Sequence, residues 1–287
     1  MPFLKKYKEL QKVVGKGIYG EPRTVLFAEI FEECDKFLST LEIEDLISKV
    51  PGKEYFAFRM GGKSSRAVNK ELFCRGMGGW DLLRECLSNN DLSPMSKTDL
   101  ERTLYTLAIS FCACIDIVKE RDQQTPGTFF GYLVAYLLHW RLGVEPKTSI
   151  KIMSVEGEAD VNLQTDLIYD LGLKKQKFHV PVKTSSRERA IMLWAHQKLL
   201  DGAYGIERYM GTPVLLAETK LDKKNREVVE ICLPDQWKVY QLYIARLKRV
   251  YYLDMPTPYL RLQGEFPPIM VKSFADLFSE WDDLMPV

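Results

Sequence analysis

The chain has few of the residues from which common catalytic and structural sites are built. Only three histidines occur among its 287 residues, and none of its six cysteines forms a CxxC pair. A structural zinc site is therefore not expected. The motifs GxGxxG, GxSxG and HExxH are also absent. Their absence argues against dinucleotide-binding enzymes, α/β-hydrolases and zinc peptidases.

Neither sign of charge dominates. The chain has 40 lysines and arginines against 39 aspartates and glutamates, a net charge of +1. This balance argues against a histone-like or tail-driven DNA-binding protein. It leaves open an enzyme that acts on DNA, because such a protein needs basic residues along one cleft only.

Long apolar runs are missing as well. The longest, residues 129–140, is well short of the roughly 20 residues that a membrane span needs. The N-terminal stretch MPFLKKYKELQKVV mixes charges with apolar residues and lacks the apolar core of a signal peptide. We therefore expect a cytoplasmic protein with no membrane partner, whose cysteines are buried free thiols.

What is present is a pattern typical of an α/β protein. Apolar residues recur at helical spacing over 24–49, 98–119, 187–200 and 236–251. They alternate as in strands from residue 160 onward, and short apolar runs lie at 214–217 and 228–231. The pattern predicts one domain with a central mixed β-sheet flanked by helices. In this domain residues 1–150 are mainly helical, and residues 151–287 supply the catalytic sheet and the recognition part.

A glycine-rich basic stretch interrupts the helical half. Residues 59–80, RMGGKSSRAVNKELFCRGMGGW, combine two Gly-Gly pairs with several basic side chains. They suit either a loop whose backbone approaches phosphates or a solvated surface. Residues 57–64, AFRMGGKS, also match a loose form of the P-loop, so a nucleotide-binding enzyme is one alternative.

The most informative segment is 160–189, which predicts a β-hairpin followed by a helix. If the chain reverses next to Gly172, Asp160 faces Lys183; if it reverses at residues 174–175, Asp166 faces Lys183. We favour Asp160, because glycine tolerates the positive φ of a tight turn. An acid and a lysine so placed can share a divalent metal and a phosphate. The alternative is a surface salt bridge.

The residues after Lys183 suit DNA recognition. Thr184-Ser185-Ser186 leads into Arg187-Glu188-Arg189 at the start of the predicted helix. Arginine matches the O6 and N7 acceptors of guanine, and glutamate accepts a hydrogen bond from N4 of cytosine. This triplet therefore predicts recognition of G·C pairs.

The segment around Lys183 resembles the core of a known nuclease family. The segment VPVKTSSRERAIMLWAHQKLLDG resembles the core of type II restriction endonucleases of the PD-(D/E)xK nuclease fold. More narrowly, it is similar to the branch that cuts palindromes beginning CC and ending GG. The resemblance covers about residues 155–235. It implies Lys183 as the catalytic lysine, Asp160 as a metal ligand on the preceding strand, and Arg187, Glu188 and Arg189 as the base-recognition residues.

The sequence departs from that pattern at the second metal ligand. The common form has an acid two residues before the lysine, where this chain has Pro181. In the CC/GG branch a glutamate on the next helix replaces that acid, but here the corresponding stretch carries His196 and Gln197. We take Asp166 as the second ligand; the other candidates are Glu156, Glu158 and Asp201. A competing (D/E)xK string is Glu218-Thr219-Lys220.

These expectations define a predicted function. It is a type II, Mg²⁺-dependent endonuclease that cuts double-stranded DNA at a short palindrome, acting as a homodimer with one active centre per strand. The resemblance also implies a bacterial source and a cognate DNA methyltransferase. The alternatives are a repair nuclease of the same fold without sequence specificity, and a non-catalytic DNA-binding protein.

Overall fold

The computed structural model describes residues 1–153, 160–172, 175–266, 268–280 and 284. The chain forms two compact units. The first comprises Met1–Tyr136 and Thr219–Ile231, and the second comprises Leu137–Glu218 and Cys232–Val287. The hairpin at Thr219–Ile231 thus belongs with the N-terminal unit, whereas the sequence placed it with the C-terminal part. The prediction of a single domain remains a prediction.

The secondary-structure elements are as follows in chain order. The helices are α1 (Pro2–Gly15), α2 (Glu21–Ser39), α3 (Gly78–Asn89), α4 (Lys97–Val118), α5 (Gln124–Leu142), α6 (Ile191–Tyr204), α7 (Pro234–Tyr243), α8 (Thr257–Glu265) and α9 (Asp276–Ser279). The strands up to the helix α6 are β1 (Glu42–Asp45), β2 (Ile47–Ser48), β3 (Tyr55–Met60), β4 (Lys63–Ser64), β5 (Val68–Asn69), β6 (Lys147–Met153), β7 (Asp160–Tyr169), β8 (Lys177–Val180) and β9 (Val182–Lys183). The later strands are β10 (Tyr209–Gly211), β11 (Val214–Leu215), β12 (Thr219–Asp222), β13 (Glu227–Glu230), β14 (Val250–Tyr252) and β15 (Val271–Ser273).

The helices of the first unit pack around α4. This helix was predicted at 98–119, and Ser96 caps its N-terminus by accepting from the Asp99 amide at 3.1 Å and donating to the Asp99 carboxylate at 2.6 Å. Its buried face meets an aromatic core, in which the rings of Phe111 and Phe129 stack with centroids 3.9 Å apart. The helix predicted over 24–49 ends earlier, at Ser39, and the chain then turns into β1.

Two small sheets complete the first unit. One joins β1, β3, β4 and β5, and the other joins β12, β13 and β2. Residues 57–64 lie in the hairpin of β3 and β4, where Arg59 pairs with Ser64 and Gly61 and Gly62 take positive φ in the turn. A P-loop needs a strand that leads directly into a helix N-terminus. The interpretation of residues 57–64 as a P-loop is therefore wrong.

One mixed sheet organises the second unit. Strands β8 and β9 are a single strand interrupted at Pro181, and β10 and β11 are a single strand interrupted before Val214. Tyr209 pairs with Lys177 and Val214 with Val182, so the parallel register is continuous across both interruptions. Strands β7 and β6 add antiparallel on one side, and β14 and β15 add parallel on the other. The predicted fold class, a mixed sheet flanked by helices, is confirmed.

Aromatic side chains hold α6, α7 and α8 against this sheet. Trp194, Trp237, Tyr252 and Tyr259 are fully buried in one cluster, and the rings of Trp237 and Tyr259 stack 3.8 Å apart. Burial of each such side chain contributes on the order of 1.5–3 kcal/mol. The helix predicted over 236–251 ends at Tyr243, because Val250–Tyr252 joins the sheet as β14 and residues 246–249 lead into it without helical structure.

Two sequence features have simple structural outcomes. No helix within the described ranges is long and apolar enough to cross a membrane. All six cysteines are free thiols; four are buried, and Cys74 and Cys232 are partly exposed.

Candidate active site and recognition segment

An aspartate and a lysine on neighbouring strands form the centre of the candidate site. The ammonium of Lys183, at the end of β9, lies 2.8 Å from Oδ2 and 3.1 Å from Oδ1 of Asp166 on β7. Oδ2 also accepts a hydrogen bond from the amide of Val182 at 3.1 Å. The side chain of Lys183 remains 44% exposed and that of Asp166 30% exposed. An ion pair this exposed contributes about 1 kcal/mol or less to stability, but both groups are open to a ligand.

The structure places Asp160 elsewhere, and the predicted pairing of Asp160 with Lys183 is wrong. Asp160 begins β7 opposite Met153, is half-exposed, and lies 3.8 Å from the ammonium of Lys151. It is six residues from Asp166 along the strand, or about 20 Å. Two carboxylates at that separation do not share one metal ion.

The register of the hairpin explains why Asp166, and not Asp160, meets Lys183. In the hairpin Leu167 pairs with Val180, a register between the two that were considered. Gly172 does take a positive φ, as expected, and its amide donates to the Asp170 carboxylate. The pairing of Leu167 with Val180 nevertheless does not match a reversal next to Gly172. The slanted alignment that results brings Asp166 to Lys183 across the strands.

Pro181 occupies the position of the missing acid, in the interior of the sheet. Proline has no N–H for the sheet ladder. Its carbonyl still accepts from the Val214 amide at 2.8 Å, so the pairing with β11 is kept. On the other side the next amide, that of Val182, bonds to the side chain of Asp166. Proline therefore supplies no ligand, but the strand break beside it lets the Asp166 carboxylate bind to the backbone next to Lys183.

The second candidate position, Gln197, is buried within a polar network. Its amide nitrogen donates to Asp201 and to the Tyr209 carbonyl, both at 2.8 Å. Its oxygen is 3.3 Å from Nδ1 of His179, which must therefore carry the proton. Burial lowers the pKa of His179 to about 4 and raises the pKa of Asp201. Gln197 thus contributes no anionic ligand.

Among the described residues, no group of three or more histidine, cysteine, aspartate or glutamate side chains is arranged to hold a metal ion. The candidates Glu156 and Glu158 lie outside the described residues. Asp166 is accordingly the acid that the structure brings to Lys183. A magnesium ion is often held by one or two carboxylates, with waters and substrate phosphates completing its shell. The residues present fit such a site with one protein carboxylate.

The Arg-Glu-Arg triplet forms a tight turn that begins four residues after Lys183, the end of β9. Arg187–Arg189 is a single 3₁₀ turn that leads into α6. Arg187 has a φ of 32°, a conformation that costs a non-glycine residue about 1–2 kcal/mol. Arg187 is partly buried and Arg189 is exposed, while the side chain of Glu188 lies outside the described part.

The carboxylate of Glu218 binds the residues that lead into this turn, a role that the sequence did not predict. Its side chain is 0% exposed and accepts hydrogen bonds from Ser185, Ser186, Arg187 and Tyr252. The competing interpretation of Glu218-Thr219-Lys220 as a (D/E)xK site requires an open carboxylate beside the lysine. Glu218 is instead closed off by donors, and Lys220 is an exposed residue of β12 in the other unit. The apolar strand that precedes Glu218 is a signal that pointed to its burial.

Comparison with solved structures identifies the fold. The type IIP restriction endonuclease Kpn2I superposes with a TM-score of 0.82 over 99% of each chain, at 22% sequence identity. The restriction endonuclease PspGI in complex with substrate DNA gives a TM-score of 0.41 at 13% identity, covering 71% of this chain and 92% of that one. No family model and no curated protein matches the sequence. The chain therefore has the fold of a type II restriction endonuclease, and the resemblance found in its sequence is confirmed at that level.

Proposed function

We propose that this protein is a Mg²⁺-dependent endonuclease that cuts double-stranded DNA at a specific palindromic site. One observation carries the proposal: Asp166 and Lys183 meet on a restriction-endonuclease fold, and the Arg187–Arg189 turn follows four residues later. Hydrolysis of a phosphodiester needs an acid for a metal and a cation for the charge that develops on the phosphate. Specific cleavage needs base-recognition groups held rigidly beside them.

In this proposal Asp166 is the protein ligand of the metal. A bound Mg²⁺ would lower the pKa of water and neutralise charge on the scissile phosphate. Lys183 places a second positive charge at the same point, since its ammonium already contacts both carboxylate oxygens of Asp166. Both side chains are partly exposed, so a phosphate from solvent can reach them.

Base recognition is assigned to Arg187, Glu188 and Arg189. The triplet offers two planar donors and one acceptor, the set that G·C pairs require in the major groove. Together with the sequence resemblance, this favours a site with CC and GG ends. A palindrome is matched by a symmetric homodimer, in which each protomer recognises one half-site and cuts one strand. A cognate methyltransferase is the expected partner in the host.

A second function has two observations in its favour. Pro181 replaces an acid, and the described part of the chain contains no cluster of three metal-binding side chains. These facts suit a DNA-binding protein that has lost catalysis. Such a protein would bind DNA with an affinity that does not depend on metal, and it would leave every DNA intact.

Digestion of a fully sequenced plasmid separates these functions. The purified protein is incubated with the DNA in Mg²⁺, in Mn²⁺ and in EDTA, and the ends of the products are sequenced. The proposal predicts discrete fragments with either metal ion, none in EDTA, and a shared palindrome at every end. A smear of fragments would instead indicate a nuclease without specificity, and intact DNA in both metals would indicate the non-catalytic protein.

A further inference from the structure

A carboxylate of the second unit that lies outside the proposed catalytic pair, Glu218, has a full set of hydrogen-bond donors. Oε1 of Glu218 accepts from the Ser186 hydroxyl at 2.5 Å, the Tyr252 hydroxyl at 2.7 Å and the Ser186 amide at 2.9 Å. Oε2 accepts from the Ser185 hydroxyl at 3.0 Å and the Arg187 amide at 3.1 Å. Because an ionised carboxylate has about four acceptor sites, this donor shell is full. Glu218 is therefore a structural anchor with no capacity left for a metal.

The donors are not scattered through the unit. They belong to three consecutive residues, Ser185 to Arg187, and to one tyrosine on β14. These three residues lead from the strand that carries Lys183 into the first residue of the Arg187–Arg189 turn, and we call them the link. The carboxylate therefore binds the whole link and not a single side chain.

Backbone pairing leads up to this contact without a gap. The amide of Leu216 donates to the Lys183 carbonyl at 3.1 Å, and the amide of Ala217 donates to the Thr184 carbonyl at 3.3 Å. The next residue along is Glu218, whose side chain takes over where the backbone ladder stops. The strand that carries Lys183 and the turn that follows it are thus held by one continuous row of hydrogen bonds.

Tyr252, on the neighbouring strand β14, supplies the remaining donor to Glu218. Its pKa is raised well above the ordinary range by burial and by the charge of Glu218, so the phenol stays a donor. Buried hydrogen bonds to a charged acceptor are among the stronger ones in proteins. They hold Arg187 at a positive φ that the residue would otherwise leave.

We propose that Glu218 is the positioning residue that couples base recognition to cleavage, by fixing the Ser185–Arg187 link between Lys183 and the base-recognition turn. This inference rests on the proposed function. It assigns no chemistry to Glu218, which touches neither the metal nor the phosphate. The expected consequence of loosening the link is that DNA is still bound, but bases no longer determine how fast it is cut.

The test is Glu218→Gln, which keeps the shape and places an amide NH₂ against donors. Single-turnover cleavage is measured on the cognate duplex and on a duplex with one outer base pair exchanged. We expect the cognate rate to fall about 100-fold, with a smaller fall on the exchanged duplex, so that discrimination shrinks. A role in stability alone would lower the melting temperature and leave the ratio of the two rates unchanged.

A second buried tyrosine–glutamate contact in the same unit offers matched controls. Tyr251, next to Tyr252, donates to the buried carboxylate of Glu280 at 2.6 Å, away from the link. Glu280→Gln and Tyr251→Phe should therefore destabilise the fold while keeping discrimination at the wild-type value. Tyr252→Phe removes one donor to Glu218 and leaves the carboxylate in place. It should reduce discrimination in the same direction as Glu218→Gln, and it decides the question if Glu218→Gln does not fold.

The two levels of the proposal fail in different ways. If the wild-type protein makes no specific, Mg²⁺-dependent cuts, the proposed function fails and the role of Glu218 fails with it. If the wild type cuts specifically but Glu218→Gln or Tyr252→Phe discriminates as well as the Glu280 and Tyr251 variants do, only the role of Glu218 is overturned.

Discussion

The ammonium of Lys183 lies 2.8 Å from the carboxylate of Asp166, and Lys183 follows Pro181 by two residues on the strand next to β7, which carries Asp166. A second pair of the same kind joins the two strands further along. Lys177 contacts Asp170 at 2.6 Å, near the hairpin turn. Between these two strands the described residues thus form two close lysine–aspartate pairs, and the Lys183 pair is the one that adjoins the Arg-Glu-Arg turn. This duplication provides an internal control.

Lys183→Ala should abolish most cleavage and leave DNA binding largely intact. Removal of one group that stabilises transition-state charge typically costs about 100- to 1,000-fold in rate. Single-turnover cleavage of a cognate duplex measures the effect, with Lys177→Ala as the matched control at near wild-type rate. Equal rates for the two variants would remove Lys183 from the catalytic centre.

Arg189→Ala should weaken specific binding more than nonspecific binding. Arg189 is exposed in the turn after Lys183, and loss of a bidentate base contact costs about 1–3 kcal/mol of discrimination. Equilibrium titrations of cognate and unrelated duplexes at one salt concentration give both affinities. Lys198→Ala, at an exposed cation of α6, should change the two affinities alike. The base-recognition role is wrong if the Arg189 variant also changes them alike.

Stability should fall in mild acid because of His179. Burial holds the pKa of the folded state near 4, whereas the unfolded chain takes up the proton at about 6.5. The contribution of the neutral His179 to the free energy of unfolding is therefore fully present above pH 6.5, and it is lost as the pH falls from 6.5 towards 4. The difference between the two pKa values corresponds to about 3 kcal/mol.

Urea unfolding at pH 7 and pH 5 tests this dependence. His179→Asn keeps a donor for Gln197 and removes the titrating group. The variant should lose part of the wild-type decrease in stability between the two pH values. An unchanged decrease would mean that other groups cause it.

Gly211→Ala should destabilise the second unit by about 1–3 kcal/mol. A Cβ at this position would meet Oε1 of Gln197 at 2.6 Å and Cδ2 of Leu247 at 2.7 Å, both within the core beside the site. Gly202→Ala is the control, because this glycine of α6 has nothing within 4 Å of the added carbon. That change should stabilise the helix by about 1 kcal/mol. Urea denaturation of the two variants gives the comparison, and a stable Gly211 variant would contradict the described packing.

Much of the fold could be predicted because its signals are local. The helix α4 and the strand alternation from residue 160 follow from apolar periodicity, and both lie within a few residues of their predicted bounds. The helix predicted over 236–251 is wrong in its C-terminal half, because long-range strand pairing determines the structure there. Val250–Tyr252 has the β-branched and aromatic character of a strand, and its pairing with β11 and β15 overrides the helical spacing before it.

The site was predictable only in part. Lys183 and the Arg187–Arg189 turn follow from a contiguous motif, whereas the partner acid depends on a hairpin register that one glycine does not determine. A shift of a few residues in the turn moved the contact from Asp160 to Asp166. Glu218 contacts residues that lie more than 30 positions away in both directions, and no local pattern encodes such a contact.

In the proposed function Asp166 and Lys183, and not Asp160, form the centre that cuts DNA. The most direct measurement compares Mg²⁺-dependent cleavage of one sequenced plasmid by the wild type, Asp166→Asn and Asp160→Asn. Both substitutions remove one negative charge from β7 and preserve side-chain shape. We expect the wild type and Asp160→Asn to give the same discrete fragments, and Asp166→Asn to leave the plasmid intact. Cleavage by Asp166→Asn at the wild-type rate would contradict this expectation.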